Sequence, residues 1–159
     1  MQTTTLGRTN LTVSIMGMGG GGPSQLGKKS GKTQTESATI LQQAFDAGVN
    51  YVDTAEGYGT EPIVAQALQG RDRNDIIIST KKSTRRKEVT PQTLEESLNQ
   101  SLERLNTDYI DVYNLHGVVP QDYDYLVADI YPVLKRAQEQ GKIRFIGITE
   151  MFNEDTDHK

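Results

Sequence analysis

The sequence predicts an α/β protein built on a parallel sheet, and three observations lead there. Apolar runs of strand length alternate with segments of helical periodicity at a spacing of roughly thirty residues, the length of a βαβ unit. The central run Ile76-Ile77-Ile78 is continuous and β-branched, as expected of a strand buried on both faces. Helical segments open on caps such as Thr33 and Thr90 and close on glycines such as Gly48, Gly70 and Gly141.

Taken in order, the chain starts with the turn cluster Gly7-Arg8-Thr9-Asn10 between short strand-like pieces, which predicts a β-hairpin over residues 2–13. Val13 to Gly17 is the first candidate sheet strand. A long glycine-rich loop, Gly17 to Thr33, follows it. Thr33 with Glu36 three residues on forms a capping box, and Ile40, Leu41, Ala44 and Phe45 give the first helix an apolar face. Val49 to Asp53 is the second strand, and Ile63, Val64, Ala67 and Leu68 mark the second helix. Asp75 to Thr80 is the third strand. Thr90-Pro91, a cap plus first-turn proline, opens a helix with Leu94, Leu98, Leu102 and Leu105 at helical spacing. Tyr109 to Tyr113 is the fourth strand, Tyr123 to Gln140 holds a helix, and Arg144 to Ile148 is the fifth strand.

Repeated right-handed βαβ units make a parallel sheet, either open and doubly wound or closed as an eight-stranded barrel. The barrel needs about 250 residues. At 159 residues the chain supplies only part of that, and no helix is predicted beyond the fifth strand. An incomplete, truncated architecture is the expectation.

Composition narrows the function. Seventeen basic and 21 acidic residues give a net charge of −4, which argues against nucleic acid or anionic membrane as partners. The cluster Lys81, Lys82, Arg85, Arg86 and Lys87 is an exception, read either as a solvated loop or as a local anion site. There is no cysteine and there are only two histidines, His116 and His158, so no thiolate or His-rich metal site is predicted. No apolar run has the length of a membrane span and the N-terminus lacks the pattern of a signal peptide, so a soluble cytoplasmic protein is expected.

The loop Gly17 to Thr33 invites a test for phosphate binding. A P-loop requires glycine, four residues, then Gly-Lys-Ser/Thr. Gly22, Gly27 and Lys28 keep that spacing but place Lys29 at the hydroxyl position, while Gly31, Lys32 and Thr33 place Leu26 at the first glycine. Gly17, Gly19 and Gly22 match G-x-G-x-x-G, yet Pro23 follows where a dinucleotide site needs a helix to open. The segment is expected to be a strand-to-helix loop of another kind.

In parallel α/β architectures functional residues gather at the carboxyl ends of the strands. Asp53 stands after strand two, Lys81 after strand three and His116 just past strand four, and Tyr58 follows Asp53 on a turn between Gly57 and Gly59. Taken singly, Asp53 could be a cap, Lys81 a solvated charge, Tyr58 a packed ring and His116 a satisfied imidazole. Together on one rim they suggest chemistry. A phenol ionises at about pH 10 and is a poor acid at neutrality. A nearby ammonium favours the phenolate, and a carboxylate holds that ammonium in place. Bringing a phenol toward neutrality asks for roughly 3–4 kcal/mol of electrostatic bias, available in a partly desolvated pocket. An imidazole N–H aimed at the same oxygen orients a carbonyl and stabilises the developing alkoxide. Carbonyl reduction follows, with the hydride supplied by a nicotinamide cofactor because no side chain donates one. Glu56, Asp111 and Asp129 are read as surface or capping residues, and His158 as tail.

The sequence resembles the aldo-keto reductases, NADPH-dependent carbonyl reductases on a TIM barrel. The likeness is carried by LGRTNLTVS from Leu6, GVNYVDTAEGYG from Gly48, ISTK from Ile78, DYIDVYNLH from Asp108 and GKIRFIGIT from Gly141, in family order. It implies an α/β fold that is a partial (β/α)8 TIM barrel: a single domain over 1–159, with the hairpin at 2–13 plugging the barrel's bottom and the first five strands in 14–159. It also implies a catalytic tetrad of Asp53, Tyr58, Lys81 and His116, with Tyr58 the proton donor. Gly19, Gly20, Asp53, Thr149 and Glu150 are implied to lie along NADPH, while the family's main grip on the adenosine phosphate comes from loops after strands seven and eight, which have no counterpart here. The family commonly has Ser-Asn after strand five, holding the nicotinamide carboxamide. Thr149-Glu150 keeps a hydroxyl there but replaces the amide by a charge.

The expectation is a truncated polypeptide whose parent reduces a small aldehyde or ketone, and which alone binds NADPH weakly and turns over little. The alternatives are a non-catalytic interaction subunit of the same fold, an inactive fragment, or a chain that self-associates through its open barrel edge.

Overall fold

The computed structural model describes residues 1–84 and 89–151. Arg85, Arg86 and Lys87 of the basic cluster, and His158, lie outside the described residues. Strands β1 (Thr3–Thr5) and β2 (Thr12–Ser14) pair antiparallel as the expected hairpin, and β3 (Met18–Gly19), β4 (Tyr51–Asp53), β5 (Ile77–Ser83), β6 (Ile110–Val118) and β7 (Ile143–Glu150) form one parallel sheet in chain order. Helices α1 (Gln34–Asp46), α2 (Glu61–Ala67), α3 (Pro91–Leu105), α4 (Tyr123–Tyr125) and α5 (Tyr131–Glu139) fill the connections. This is the arrangement expected of the first five strands of a barrel.

The caps form as the sequence predicts. Thr33 N–H donates to Glu36 Oε2 at 2.7 Å and Glu36 N–H returns to Thr33 Oγ1 at 3.2 Å, which holds the Glu36 carboxyl below the usual carboxylate range. Thr90 and Thr93 make the corresponding exchange at the start of α3.

Several boundaries differ from the expectation. The first sheet strand is Met18–Gly19, and Val13 belongs to the hairpin instead. Ser14 is the cause: its N–H donates to Asn50 Oδ1 at 2.6 Å and its hydroxyl to Met16 O at 2.6 Å, bending the chain outward through exposed Ile15 and Met16. Strands β5 to β7 run longer than their apolar runs, so Lys81, His116 and Thr149-Glu150 lie within the strands rather than after them. The apolar runs stop short of the strand ends because the inward positions there are polar, among them Lys81, Asn114, His116 and Thr149. The fourth connection is also not one regular helix. Leu126–Ile130 winds as a π-helical segment between α4 and α5, at the point where Pro132 lacks the N–H for an ordinary turn.

The sheet has two faces of different character. Outward residues such as Val52, Ile78, Tyr113 and Leu115 pack with Leu41, Val64, Leu94, Leu98 and Leu134 of the helices in the main core. Toward the amino ends of the strands the inward face carries Tyr51, Ile77, Val112 and Phe145, covered by Leu6, Leu11 and Val13 of the hairpin. No helix among the described residues is long and apolar enough to cross a membrane.

Asp111 corrects the surface assignment. It is fully buried on β6, accepts from Arg73 Nη2 at 2.8 Å, Arg144 Nη1 at 2.7 Å and Ile78 N–H at 2.9 Å, and so links the start of β5, β6 and β7. Asp129 is exposed, as expected. Removing the Asp111 carboxylate strands two guanidinium groups and a buried N–H, so Asp111→Ala is expected to lower unfolding free energy by about 2–4 kcal/mol in urea titration. A loss under about 0.5 kcal/mol, the range of an ordinary surface change, would show that the cluster holds nothing.

Tyr113 is also fully buried, its hydroxyl facing Ser97 without closing a hydrogen bond, and burial pushes its phenol well above the ordinary value, with the Glu56 and Glu61 carboxylates adding to the rise. A raised folded value stabilises the fold below the ordinary phenol pKa and loses that contribution as pH climbs. Stability should fall by about 1.4 kcal/mol per pH unit for this group above about pH 10. Tyr113→Phe is expected to unfold within about 1 kcal/mol of the parent at pH 7 and to show a shallower loss between about pH 10 and 11.5.

Candidate functional site

The inward face above the hairpin carries Asp53, Lys81, His116 and Thr149 of the predicted residues. In register, Asp53 pairs with Ser79 across β4 and β5, Lys81 with Asn114 across β5 and β6, and His116 with Thr149 across β6 and β7. Side chains alternate along each strand, so Asp53, Lys81, His116 and Thr149 all fall on the same side. Lys81 Nζ donates to Asp53 Oδ2 at 2.5 Å, the lysine side chain being 5% exposed and the aspartate 39%. The ammonium is therefore held inside while the carboxylate reaches the opening.

Two further polar residues complete the floor. Ser79 Oγ donates to Asp53 Oδ1 at 2.9 Å, and Asn114 Nδ2 donates to Ser79 Oγ at 3.1 Å. The sequence reading missed both. Each sits two residues before a predicted one, on the same face by strand parity, and that spacing was the available signal. Tyr51, one turn of the pleat below Asp53, has its phenol pushed up by burial, opposed by a hydrogen bond to Ser79 and reinforced by the Asp53 charge.

Tyr58 arrives from a 3₁₀ turn, Glu56–Tyr58, directly after β4. Its ring lies on the backbone of Gly21: a Cβ at that position would stand 2.6 Å from Cε2 and 2.8 Å from Cζ. The Lys81 ammonium is 5.5 Å from the centre of the ring. The loop is clamped at both ends by Thr54 and Thr60, whose hydroxyls are 2.8 Å apart, and Thr60 Oγ1 also donates to Gly20 O at 3.2 Å. Glu56, assigned to the surface from sequence, is half-buried and paired with Lys82 at 3.0 Å. Lys82 is likewise not a solvated charge.

On the far side, His116 Nδ1 lies 2.6 Å from Thr149 Oγ1, and Gly117 N–H donates to that same oxygen at 3.2 Å. Glu150 is exposed at the end of β7. Gly19 pairs with Asp53 at the mouth and has open space where a side chain would stand, whereas Gly20 is buried. The loop from Gly20 to Thr33 has turns and one short 3₁₀ segment, Lys28–Ser30, and no helix opens on Gly22.

The sequence profile of the aldo/keto reductase family matches residues 16–158. The chain belongs to the aldo/keto reductase family. Among characterised relatives it is 33% identical over 152 residues to L-galactose dehydrogenase of Arabidopsis thaliana, covering 91% of this chain and 47% of that one. It is 35% identical over 176 residues to the NADH-specific methylglyoxal reductase of Escherichia coli, covering 96% and 52%. A solved aldo-keto reductase from Bacillus halodurans in its holo form superposes with a TM-score of 0.78 at 32% identity, over 95% of this chain and 51% of that one. A Bombyx mori aldo-keto reductase in complex with NADP superposes at 0.73 with 26% identity, over 92% and 50%. The chain thus spans about half the length of the family members it matches.

Close packing at Gly20 gives a test of the mouth. A Cβ there would stand 2.7 Å from Thr60 Oγ1 and 3.3 Å from Asp53 O. Gly20→Ala is expected to cost about 1–3 kcal/mol by forcing the Thr54–Thr60 clamp apart, seen as a lowered thermal midpoint. An unchanged midpoint would show that the clamp yields freely.

Proposed function

We propose that this chain carries the proton-transfer half of a nicotinamide-dependent carbonyl reductase, with Tyr58 as the proton donor and NADPH as the cofactor. The observation that supports it most is the ammonium of Lys81, anchored by Asp53 and set beside the Tyr58 ring. A positive charge fixed there stabilises the phenolate left when the proton departs. The Asp53 carboxylate stops the ammonium from turning away.

His116 takes the orienting role. Thr149 Oγ1 accepts from Gly117 N–H, and we read its own proton as donated to His116 Nδ1, which puts the ring proton on Nε2, available to a carbonyl oxygen. The Thr149 hydroxyl keeps one lone pair that can accept from a nicotinamide amide N–H, whereas Glu150, next along β7, is exposed and falls on the opposite face by strand alternation. The residues fit the reactive end of such a cofactor: the mouth is polar, half-buried, and left open by Gly19 beside Asp53. The cofactor's chemistry, when bound, would be hydride donation to the carbonyl carbon. Tyr58 supplies the proton to the oxygen, and the product is the alcohol.

The relatives support either nucleotide, one being named for NADH and one solved with NADP. The experiment is fluorescence titration with NADPH and NADH, with light scattering for mass, followed by reduction of methylglyoxal as the probe carbonyl. Tyr58→Phe is expected to leave nucleotide binding unchanged and to lower carbonyl reduction by a factor of about 100 or more. Failure to bind either nucleotide at millimolar concentration, or undiminished turnover in Tyr58→Phe, overturns the reading for this chain.

A further inference from the structure

We propose that Glu56 is a positioning residue for Tyr58: its carboxylate ties the single turn that carries the phenol to β5 and α3, keeping the ring on Gly21 and beside Lys81. The proposal rests on the reading of Tyr58 as proton donor.

The loop needs such a tether. Tyr58 stands between Gly57, which has open space around it, and Gly59, at φ +66°, so the backbone on both sides of the phenol is conformationally free. The Thr54–Thr60 clamp closes the ends of the loop, and Lys28 Nζ donates to Gly59 O at 3.3 Å. Within the turn, Tyr58 N–H donates to Ala55 O at 3.0 Å. Glu56 supplies side-chain anchors: Lys82 Nζ at 3.0 Å from Oε1, Ser83 N–H at 3.4 Å, and the Ser97 hydroxyl of α3 donating to Oε2. The two side chains of the ion pair are 21% and 19% exposed, and the pair is reinforced by hydrogen bonds, unlike a lone surface pair.

Strand geometry explains the arrangement. Lys81 and Lys82 are consecutive on β5, so they point to opposite faces. Lys81 reaches inward to Asp53, at the end of β4, and Lys82 reaches outward to Glu56, three residues later. One dipeptide therefore grips the segment carrying Tyr58 from both sides of the sheet. Buried Tyr113 packs by Ser97 behind the outward grip.

The test is a cycle on the whole chain labelled with ¹³Cζ-tyrosine, with the Tyr58 signal assigned by Tyr58→Phe. The readout is the change in the Tyr58 ionisation midpoint on Lys81→Met, measured with and without Glu56→Ala. Charged groups near Tyr58 include Lys81, with its partner Asp53, at the rim, Lys28 at Gly59, and the Glu56–Lys82 pair. Comparing within each background cancels the field of Glu56 itself. In the native background Lys81→Met is expected to raise the midpoint by about one pH unit or more, tenfold in the ionisation constant. With Glu56→Ala that effect should fall by more than half, while circular dichroism stays native. An effect that falls by less than half overturns the positioning role and leaves the proton-donor reading standing. No effect in the native background overturns both. If Glu56→Ala does not fold, the same cycle with Glu56→Gln, which keeps the shape and loses the charge, is read by the same thresholds.

Discussion

The buried carboxylate of Asp111 is the constraint on which the site depends. A parallel sheet can slip in register, and a slip of one residue turns every side chain to the other face. Asp111 on β6 takes a backbone N–H from Ile78 on β5, a guanidinium from Arg73 at the entry to β5, and a guanidinium from Arg144 on β7. Arg73 is fixed in turn by Ile76 O, Tyr109 O and Thr107 Oγ1 and by stacking on Tyr109 at 4.2 Å. Hydrophobic packing on the outer face would tolerate a two-residue slip. A charge with three fixed donors does not, and once the register is set, Lys81, Asn114, His116 and Thr149 have no choice of position.

Strand parity then divides the chemistry between two faces. At the carboxyl ends the inward positions are Asp53, Ser79, Lys81, Asn114, His116 and Thr149, while outward Thr80 donates at 2.7 Å to Glu61 of α2, itself paired with Arg104 at 2.6 Å. Small residues serve the inward face by what they omit. Gly21 gives the Tyr58 ring a surface to lie on, and Gly147 leaves room for the Asn114 carboxamide.

How far the sequence alone reached can be seen at particular residues. The strand and helix order was legible because apolar periodicity and capping are local signals, and Thr33, Glu36, Thr90 and Pro91 behave as read. Strand ends were not legible where Lys81 and His116 lie, since a polar inward face ends the apolar run before it ends the ladder. The first strand was misplaced because the decisive bond, Ser14 to Asn50, spans 36 residues. Asp111 and Glu56 were misread for the same reason: their cationic partners stand far away in the chain, and an acidic residue beside no visible partner looks like surface. Asp53, Lys81 and His116 were legible as positions on one face because residues at the carboxyl ends of parallel strands share it whatever the loops between them do, whereas Tyr58 reaches Lys81 only through its own turn.

The same ion-pair chemistry serves two ends here, and exposure separates them. Asp111 and Glu61 have side chains 1% exposed, sealed by their partners, and a sealed carboxylate can only hold strands and helices together. Asp53 is 39% exposed with its ammonium almost wholly inside. That asymmetry leaves the aspartate open to the site while the lysine charge is kept out of water, where its field on a neighbouring phenol is least screened. On the proposed reading, a charge that biases a proton must be dry enough to act and close enough to the opening to be reached, and of the ion pairs among the described residues the one between Asp53 and Lys81 meets both conditions.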